Sequence, residues 1–346
     1  MVEPGVVVFA YHDVGVECLD ALVSRGSRVL AVFTHRDNPE EKIWFKSVAQ
    51  LARRHGIPVH TPDSVNTPEW IARLREIQPD IIFSFYYRNL ICQEILDIPR
   101  LGAFNLHGSL LPKYRGRVPI NWAMLNGETE TGATLHHMVK RPDAGDIVDQ
   151  EAVSIGPRDT AQDVFIKVTA AARQVVERSL EAIKQDRAPR RPQDESQASY
   201  FSGRKPDDGR IDWHADAQRI FNFIRALTHP YPGAFTDVQD AQMPRAAAPD
   251  VPVSRGISAS MPVTGCAGAA DVEGRRFFVW WAEPRPDGAG RPGQVVSVAP
   301  LRVAAGNGSL EITKWQWRGG PEQEGGAHGL RLDQVLGEAT SQAASV

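Results

Sequence analysis

The first 150 residues alternate short apolar runs with amphipathic segments, which is the pattern of βαβ units. A parallel strand that is buried on both faces is apolar throughout, and residues 6–9 (Val-Val-Val-Phe) form such a run. Strands are predicted at residues 6–10, 29–33, 58–60, 81–85, 101–106 and 131–138. Helices are predicted at about residues 16–24, 43–54 and 67–77. The alternation predicts an α/β fold that begins with a Rossmann-like parallel sheet.

The second half of the chain differs from the first in composition and in its pattern of predicted elements. Residues 161–184 are periodic and predict a long packing helix, which ends a first domain at residues 1–190. A stretch rich in Pro, Arg, Gln, Asp and Ser predicts a linker at residues 191–208. A helix at 217–227 and short strands at 277–282, 293–298, 301–304 and 310–317 predict a small β-barrel domain at residues 209–338. Within it, residues 241–274 are predicted to be a flexible insertion, and residues 339–346 a frayed tail.

Composition limits the class of protein. The 346 residues are 42% hydrophobic and 23% charged, as in a soluble protein with two domains. A formal net charge of −3 does not favour a protein that wraps a polyanion such as tRNA. We find no apolar run of membrane-spanning length and no signal peptide before the first strand. Cys18, Cys92 and Cys266 are widely spaced, so we expect buried thiols in a cytoplasmic protein.

The turn after the first predicted strand argues against a common cofactor. Residues 11–15 are Tyr-His-Asp-Val-Gly, and the Gly-x-Gly-x-x-Gly motif that binds dinucleotides is missing there. The sequence also contains no P-loop and no His-Glu-x-x-His zinc motif. We therefore expect neither NAD nor a metal.

Two polar side chains stand at the end of the fifth predicted strand. Asn105 and His107 are two residues apart, so a strand would point both to the same face. Open α/β sheets place their sites at such strand ends. An amide that donates to an oxyanion beside a base that titrates near neutral pH suits acyl transfer. The spacing alone also occurs for structural reasons, and a carboxylate to orient the ring is available from Asp143 or Asp146.

Two motifs make the chain resemble a known superfamily. His-Gly-Ser-Leu-Leu-Pro at residues 107–112 is followed about 35 residues later by Asp-Ala-Gly-Asp-Ile at residues 143–147. This pattern resembles the 10-formyltetrahydrofolate-dependent formyltransferases, which include methionyl-tRNA formyltransferase and are related to glycinamide ribonucleotide transformylase. The chain is more similar to the UDP-4-amino-4-deoxy-L-arabinose formyltransferases, the formylating half of a bifunctional lipid A modification enzyme. That similarity is carried by residues 9–13, 33–39, 83–88, 113–122, 126–135, 206–208 and 232–235.

The resemblance covers about residues 5–338 and implies a Rossmann-like formyltransferase domain followed by an OB-like β-barrel. It implies that His107 is the general base, that Asn105 stabilises the oxyanion, and that Asp143, the first acid of its motif, assists His107. The implied folate contacts are Asn89, Leu90, Ile91, Arg117, Val139, Lys140, Arg141, Pro142 and Asp143. The implied sugar-nucleotide contacts are Tyr86, Arg88, Ser109, Lys113 and Arg115. His136 and His137 are adjacent on a predicted strand, so at most one of them faces the site.

The function implied is transfer of a formyl group from 10-formyltetrahydrofolate to the 4-amino group of UDP-4-amino-4-deoxy-L-arabinose, in lipid A modification and polymyxin resistance. Alternatives are formylation of another amino-sugar nucleotide, formylation of methionyl-tRNA, and a non-catalytic folate-binding role. Residues 34–46 contain three basic and three acidic side chains, which does not favour tRNA. No dehydrogenase–decarboxylase half follows, so that activity is expected on a separate polypeptide.

Overall fold

A computed structural model describes residues 2–38, 43–239, 274–326 and 328–337 of the chain. Two compact units are present: one comprises Met1–Asp208 and Arg225–Tyr231, the other Gly209–Ile224 and Pro232–Val346. The predicted insertion at residues 241–274 lies, apart from its last residue, outside the described residues, as does the predicted tail. No helix in the described ranges is both long and apolar enough to cross a membrane.

The first unit is built on a mixed sheet. Its strands are β1 (Gly5–Ala10), β2 (Arg28–Phe33), β3 (Val59–His60), β4 (Ile81–Phe85), β5 (Ala103–His107), β7 (Glu130–His137) and β8 (Ile147–Ser154). They lie in the order β3-β2-β1-β4-β5-β7-β8. β1 to β5 pair in parallel, whereas β7 and β8 are antiparallel to their neighbours. The predicted α/β class is confirmed, with two antiparallel strands added at one edge.

The helices of the first unit cover the sheet. They are α1 (His12–Ser24), α2 (Val48–Arg54), α3 (Pro68–Ile77), α4 (Gln93–Leu96), α5 (Pro119–Leu125) and α6 (Ala161–Lys184). α6 buries an apolar stripe against the largest core cluster, which includes Val164, Val168 and Val175. α2 begins later than predicted because the Ser47 side chain caps it and the backbone N–H of Lys46 is bound by Asp13.

The predicted linker at residues 191–208 belongs to the first unit. Residues 115–116 form the short strand β6 and pair in parallel with β9 (Tyr200–Phe201). Arg191 pairs with Ile147 across an isolated bridge. The segment therefore packs beside the loops at the carboxyl end of β5 rather than running free between the two units.

The second unit is an antiparallel sheet. It contains β10 (Ala234–Gln239), β11 (Gly274–Arg285), β12 (Val295–Val298), β13 (Leu301–Ala304), β14 (Ser309–Trp317) and β15 (Glu322–Glu324). The strand order is β10-β11-β14-β13-β12, and β15 pairs with β14. Val279, Val303 and Leu310 are buried in it, as alternating strands require. Helix α7 (Ala217–Leu227) precedes the sheet, and its last residues belong to the first unit. The predicted OB-like class is confirmed.

Candidate active site

Asn105, His107 and Asp143 converge at the end of β5. Asn105 and His107 lie on one face of that strand, as their spacing predicted. Asp143 lies in the loop after β7, and its Oδ1 atom is 3.6 Å from Nδ1 of His107. The same oxygen is 3.7 Å from Nε2 of His136. An amide, a base and a carboxylate thus occupy one half-buried position at the carboxyl edge of the sheet.

The ring of His107 is held by the turn that follows it. Its Nε2 atom lies 2.7 Å from the backbone carbonyl oxygen of Tyr114. A carbonyl oxygen only accepts hydrogen bonds, so Nε2 carries the hydrogen and donates it. In the neutral ring the lone pair is therefore on Nδ1, the nitrogen that faces Asp143. The turn is held in place by the Ser109 hydroxyl, which donates to the carbonyl oxygen of Lys113 at 2.7 Å.

Asp143 is fixed as a carboxylate. Burial raises the pKa of this acid, but His107 and the Gly116 N–H group outweigh burial and hold the pKa well below its ordinary value. The Gly116 N–H donates to Oδ2 of Asp143 at 2.9 Å. Asp143 has a left-handed backbone, with φ of 55°. We infer that surrounding contacts hold this conformation, because a residue other than glycine rarely adopts it unaided.

Two contacts hold the loop that carries Asp143. The side-chain amide of Gln193 donates to the carbonyl oxygens of Asp143 and Gly145, at 2.9 and 2.7 Å. Gly145 packs so close to β7 that a Cβ atom there would collide with the carbonyl oxygen of His137. The loop therefore depends on a glycine and on the segment at residues 191–201.

His136 belongs to the site and His137 does not. In the β5–β7 ladder His136 is the direct partner of Asn105. Its Nε2 atom is 3.1 Å from the side-chain nitrogen of Asn105. Nε2 of His137 instead lies 3.0 Å from the carbonyl oxygen of Pro189, away from these groups. The prediction that at most one of the two faces the site is confirmed, and only the cross-strand register identifies which one.

The predicted folate contacts lie in three loops, which follow β4, β6 and β7. Asn89, Leu90, Arg117, Val139, Lys140, Arg141 and Pro142 are exposed, whereas Ile91 is half-buried. The side chain of Asn89 donates to the carbonyl oxygen of Asp63 at 3.1 Å. The Asn66 amide donates to the carbonyl oxygen of Leu90 at 2.8 Å. The segment after β4 is thus held by its own neighbours with its backbone near the surface.

Three predicted sugar-nucleotide contacts are turned inward. Arg115 is fully buried, and its guanidinium group donates to Gln193, Glu195 and Tyr200. Ser109 is also fully buried, and the hydroxyl of Tyr86 lies beneath Gly108. The polar groups of all three side chains face protein, and their contact with a sugar nucleotide stays a prediction.

Arg88 and Lys113 are the two predicted sugar-nucleotide residues that lie at the surface. The Arg88 guanidinium group lies 4.7 Å from the centre of the Tyr11 ring, and its backbone N–H donates to His35. Burial, with a smaller effect of Arg88, lowers the pKa of His35 to about 4 and that of His12 to about 3. Both rings are neutral at pH 7, so Arg88 supplies the positive charge at this end of β4.

Within the described ranges, no group of three or more His, Cys, Asp or Glu side chains is placed to hold a metal ion. The arrangement at β5 consists of hydrogen-bond donors, a base and a carboxylate. That set can stabilise an oxyanion and move one proton, which is the chemistry of acyl transfer between nucleophiles.

Comparison with known families agrees with this chemistry. The family described as formyl transferase matches residues 6–180, and the formyl transferase C-terminal domain matches residues 204–327. The first match alone covers more than half of the chain, and the two together span both units. The chain belongs to the formyltransferase family and is a one-carbon transferase.

Solved structures with the same fold include sugar formyltransferases. The N-formyltransferase from Helicobacter canadensis, in complex with folinic acid and dTDP-3-aminofucose, is 19% identical with a TM-score of 0.61, covering 90% of this chain and 98% of that one. WlaRD, a sugar 3N-formyltransferase solved with dTDP and 5-N-formyl-THF, is 18% identical with a TM-score of 0.61, covering 90% and 97%. HypX from Aquifex aeolicus with tetrahydrofolic acid is 16% identical with a TM-score of 0.57, covering 93% of this chain and 46% of that one. At these identities the likeness establishes the fold.

Proposed function

We propose that this enzyme transfers the formyl group of 10-formyltetrahydrofolate to the amino group of a sugar nucleotide, with UDP-4-amino-4-deoxy-L-arabinose as the acceptor. The observation that carries the proposal is the convergence of the Asn105 amide, the His107 ring and the Asp143 carboxylate at the end of β5. Each of these groups has the hydrogen-bond partners that its task requires.

The hydrogens and lone pairs of these three side chains indicate their catalytic roles. The amide nitrogen of Asn105 has two hydrogens, and the one that His136 does not accept is available to the formyl oxygen as negative charge develops there. Nδ1 of His107 takes the proton that the attacking amine gives up as its bond to the formyl carbon forms. Asp143, already a carboxylate, stabilises the imidazolium ion that results. The tetrahedral intermediate then collapses: the bond between the formyl carbon and N10 breaks, N10 takes a proton, and tetrahydrofolate leaves.

The folate site is proposed at the loops that follow β4, β6 and β7. Main-chain groups of residues 89–91 suit the edge of a pterin, because a flat heterocycle with donors and acceptors is well matched by backbone N–H and C=O groups. Arg117, Lys140 and Arg141 are exposed cations suited to a carboxylate-bearing tail. Arg141 also pairs with Glu195 at 3.1 Å, so a ligand there would compete with an existing ion pair. The related structures solved with folinic acid and tetrahydrofolic acid support a folate.

Charge supports a sugar nucleotide rather than tRNA. The chain has a net charge of −3, and residues 34–46 carry equal numbers of acidic and basic side chains. Binding of tRNA rests largely on many cationic contacts to phosphates. A diphosphate needs only a few, and Arg88 and Lys113 are exposed near the relevant strand ends. The dTDP-3-aminofucose bound to one related formyltransferase and the dTDP bound to another support the same class. Cytoplasmic location and a role in lipid A modification are part of this proposal.

Assays with three different acceptor substrates distinguish the alternative functions. The chain is incubated with 10-formyltetrahydrofolate and, separately, UDP-4-amino-4-deoxy-L-arabinose, a dTDP-linked amino sugar and methionyl-tRNA, and formylated product is measured by mass spectrometry. We expect the UDP sugar to be formylated with the highest kcat/KM. Preference for the dTDP sugar would keep the enzyme class and change the acceptor. Formylation of methionyl-tRNA at a comparable rate would overturn the proposal.

A further inference from the structure

We propose that His136 is a positioning residue that fixes the orientation of the Asn105 amide; this inference rests on the proposed function, in which Asn105 is the oxyanion donor. His136 is only 2% exposed, and it lies directly across from Asn105 in the β5–β7 ladder. Its Nε2 atom is 3.1 Å from the Asn105 side-chain nitrogen. No residue of the motif pair at 107–112 and 143–147 supplies this contact.

The tautomer of His136 determines which group donates the hydrogen bond between His136 and Asn105. Nδ1 of His136 is 2.9 Å from the carbonyl oxygen of His137. That oxygen only accepts, so Nδ1 carries the hydrogen and Nε2 of the neutral ring is an acceptor. The group of Asn105 that faces Nε2 must then be the NH2 group, because an amide oxygen there would meet a lone pair.

This constraint matters because an Asn amide is almost symmetric in shape. A turn of 180° about its last torsion exchanges a donor for an acceptor at nearly the same place. In the orientation that His136 selects, one N–H is bound and the other stays available to a substrate oxygen. In the reversed orientation, the amide oxygen would occupy that place and repel an oxyanion. His136 therefore acts through Asn105 and needs no contact with the substrate.

The surroundings of His136 hold its ring for this task. Asp143 approaches the same Nε2 atom, with Oδ1 at 3.7 Å, which is beyond hydrogen-bond distance. Asn105 is the nearer partner, so the amide rather than the carboxylate satisfies this nitrogen. A ring bound at both nitrogens and buried between two strands has one orientation.

Substitutions at two adjacent histidines test the role. His136→Met removes the acceptor, His136→Gln offers an amide oxygen near the position of Nε2, and His137→Met alters a neighbour that is 5% exposed and contacts Pro189 instead. We expect His136→Met to lower kcat by about 10- to 100-fold with little change in the KM for folate, which is less than the roughly 10²–10³ for removal of the oxyanion donor itself. We expect His136→Gln to recover part of the loss and His137→Met to keep kcat. An equal loss in His137→Met would make the effect general strand packing and overturn the proposal.

A double-mutant cycle separates action through Asn105 from independent action. In an Asn105→Ala background, His136→Met is expected to cost less than about twofold, because the amide that it orients is gone. The full cost in both backgrounds would overturn the positioning role. Either result is read from kcat of the full chain, with circular dichroism confirming that each variant is folded.

A spectroscopic measurement keeps this inference separate from the identity of the acceptor. In ¹H–¹⁵N spectra of the substrate-free chain, we expect the two Asn105 side-chain amide protons to be resolved and protected, and His136→Met to remove that protection. The result is the same whether or not an amino sugar is formylated. If no acceptor is formylated but the amide protons behave as expected, the proposed function fails and the positioning survives. Unchanged amide protons in His136→Met would overturn the positioning itself.

Discussion

The amide nitrogen of Asn105 has two hydrogens, and His136 accepts only one of them. We predict that Asn105→Ala removes about 2.7–4 kcal/mol of transition-state stabilisation, the range for loss of one oxyanion donor. The loss should appear in kcat, because the bond to the formyl oxygen strengthens only as charge develops. Steady-state kinetics with both substrates measures the effect. A change confined to KM would make Asn105 a binding residue instead.

Asp143 makes the free energy of unfolding depend on pH in the acid range. Its folded-state pKa is held well below its ordinary value, against the effect of burial, by His107 and the Gly116 N–H group. A depressed pKa adds stability that is present above the unfolded pKa, about 3.9 for Asp, and is lost as pH falls toward the folded value. We predict that between about pH 5 and about pH 3 the wild type loses more free energy of unfolding than Asp143→Asn. Urea titrations at both pH values measure this, and equal losses would contradict the assigned ionisation.

At the scale of elements, the segment at residues 191–201 supports the loop that carries Asp143. Gln193 donates to the carbonyl oxygens of Asp143 and Gly145 and accepts from Arg115. We predict that Gln193→Ala lowers the free energy of unfolding by about 1–3 kcal/mol, since it leaves buried polar groups unpaired. We also expect kcat to fall as Asp143 loses its fixed position.

A matched control lies four residues away. Gln197 is exposed and donates only to Asp194 in its own turn. Gln197→Ala should leave the melting temperature and kcat at wild-type values. If Gln193→Ala behaves like Gln197→Ala in thermal unfolding and in turnover, the segment does not support the site.

Elements with local start and stop signals were predictable from sequence. The bounds of α6 follow from its periodicity and from a capping box formed by Thr160 and Asp163. β8 was not predicted, because Ile147–Ser154 is an edge strand with several polar residues and lacks the continuous apolar run of a central strand. β7 was predicted as a strand at residues 131–138, but its antiparallel direction was not predicted.

The candidate site also has a part that was predictable from sequence and a part that was not. Asn105 and His107 share a face because a strand repeats every two residues, so spacing alone was enough to pair them. Burial of Arg115 was not predictable, because its partners Gln193 and Tyr200 lie 78 and 85 residues later in the chain. The role of His136 likewise depends on the β5–β7 register, which no local pattern encodes.

At the scale of the whole molecule, the net charge favours a sugar nucleotide over a nucleic acid as the acceptor. A net charge of −3 leaves no excess of cations for a long polyanion. We predict that raising salt from about 50 to about 200 mM changes kcat/KM for the sugar nucleotide by less than about tenfold, compared with roughly 10³–10⁵ for proteins that contact 6–10 phosphates. Initial rates over a salt series measure this. A loss near the upper range would indicate an extended anionic partner.

The central claim is that this chain transfers a formyl group to an amino-sugar nucleotide through His107. The most direct test compares the full-length wild type with His107→Ala, using 10-formyltetrahydrofolate and UDP-4-amino-4-deoxy-L-arabinose and measuring formylated sugar nucleotide. We predict product formation by the wild type and a kcat lower by roughly 10²–10⁴ in the variant, which is the contribution of a positioned general base. Folate binding should survive in the variant, because His107 is not among the predicted folate contacts and its Nε2 atom is bound by the backbone of Tyr114. Near wild-type turnover in His107→Ala, or wild-type protein that formylates methionyl-tRNA but not the sugar nucleotide, would contradict the claim.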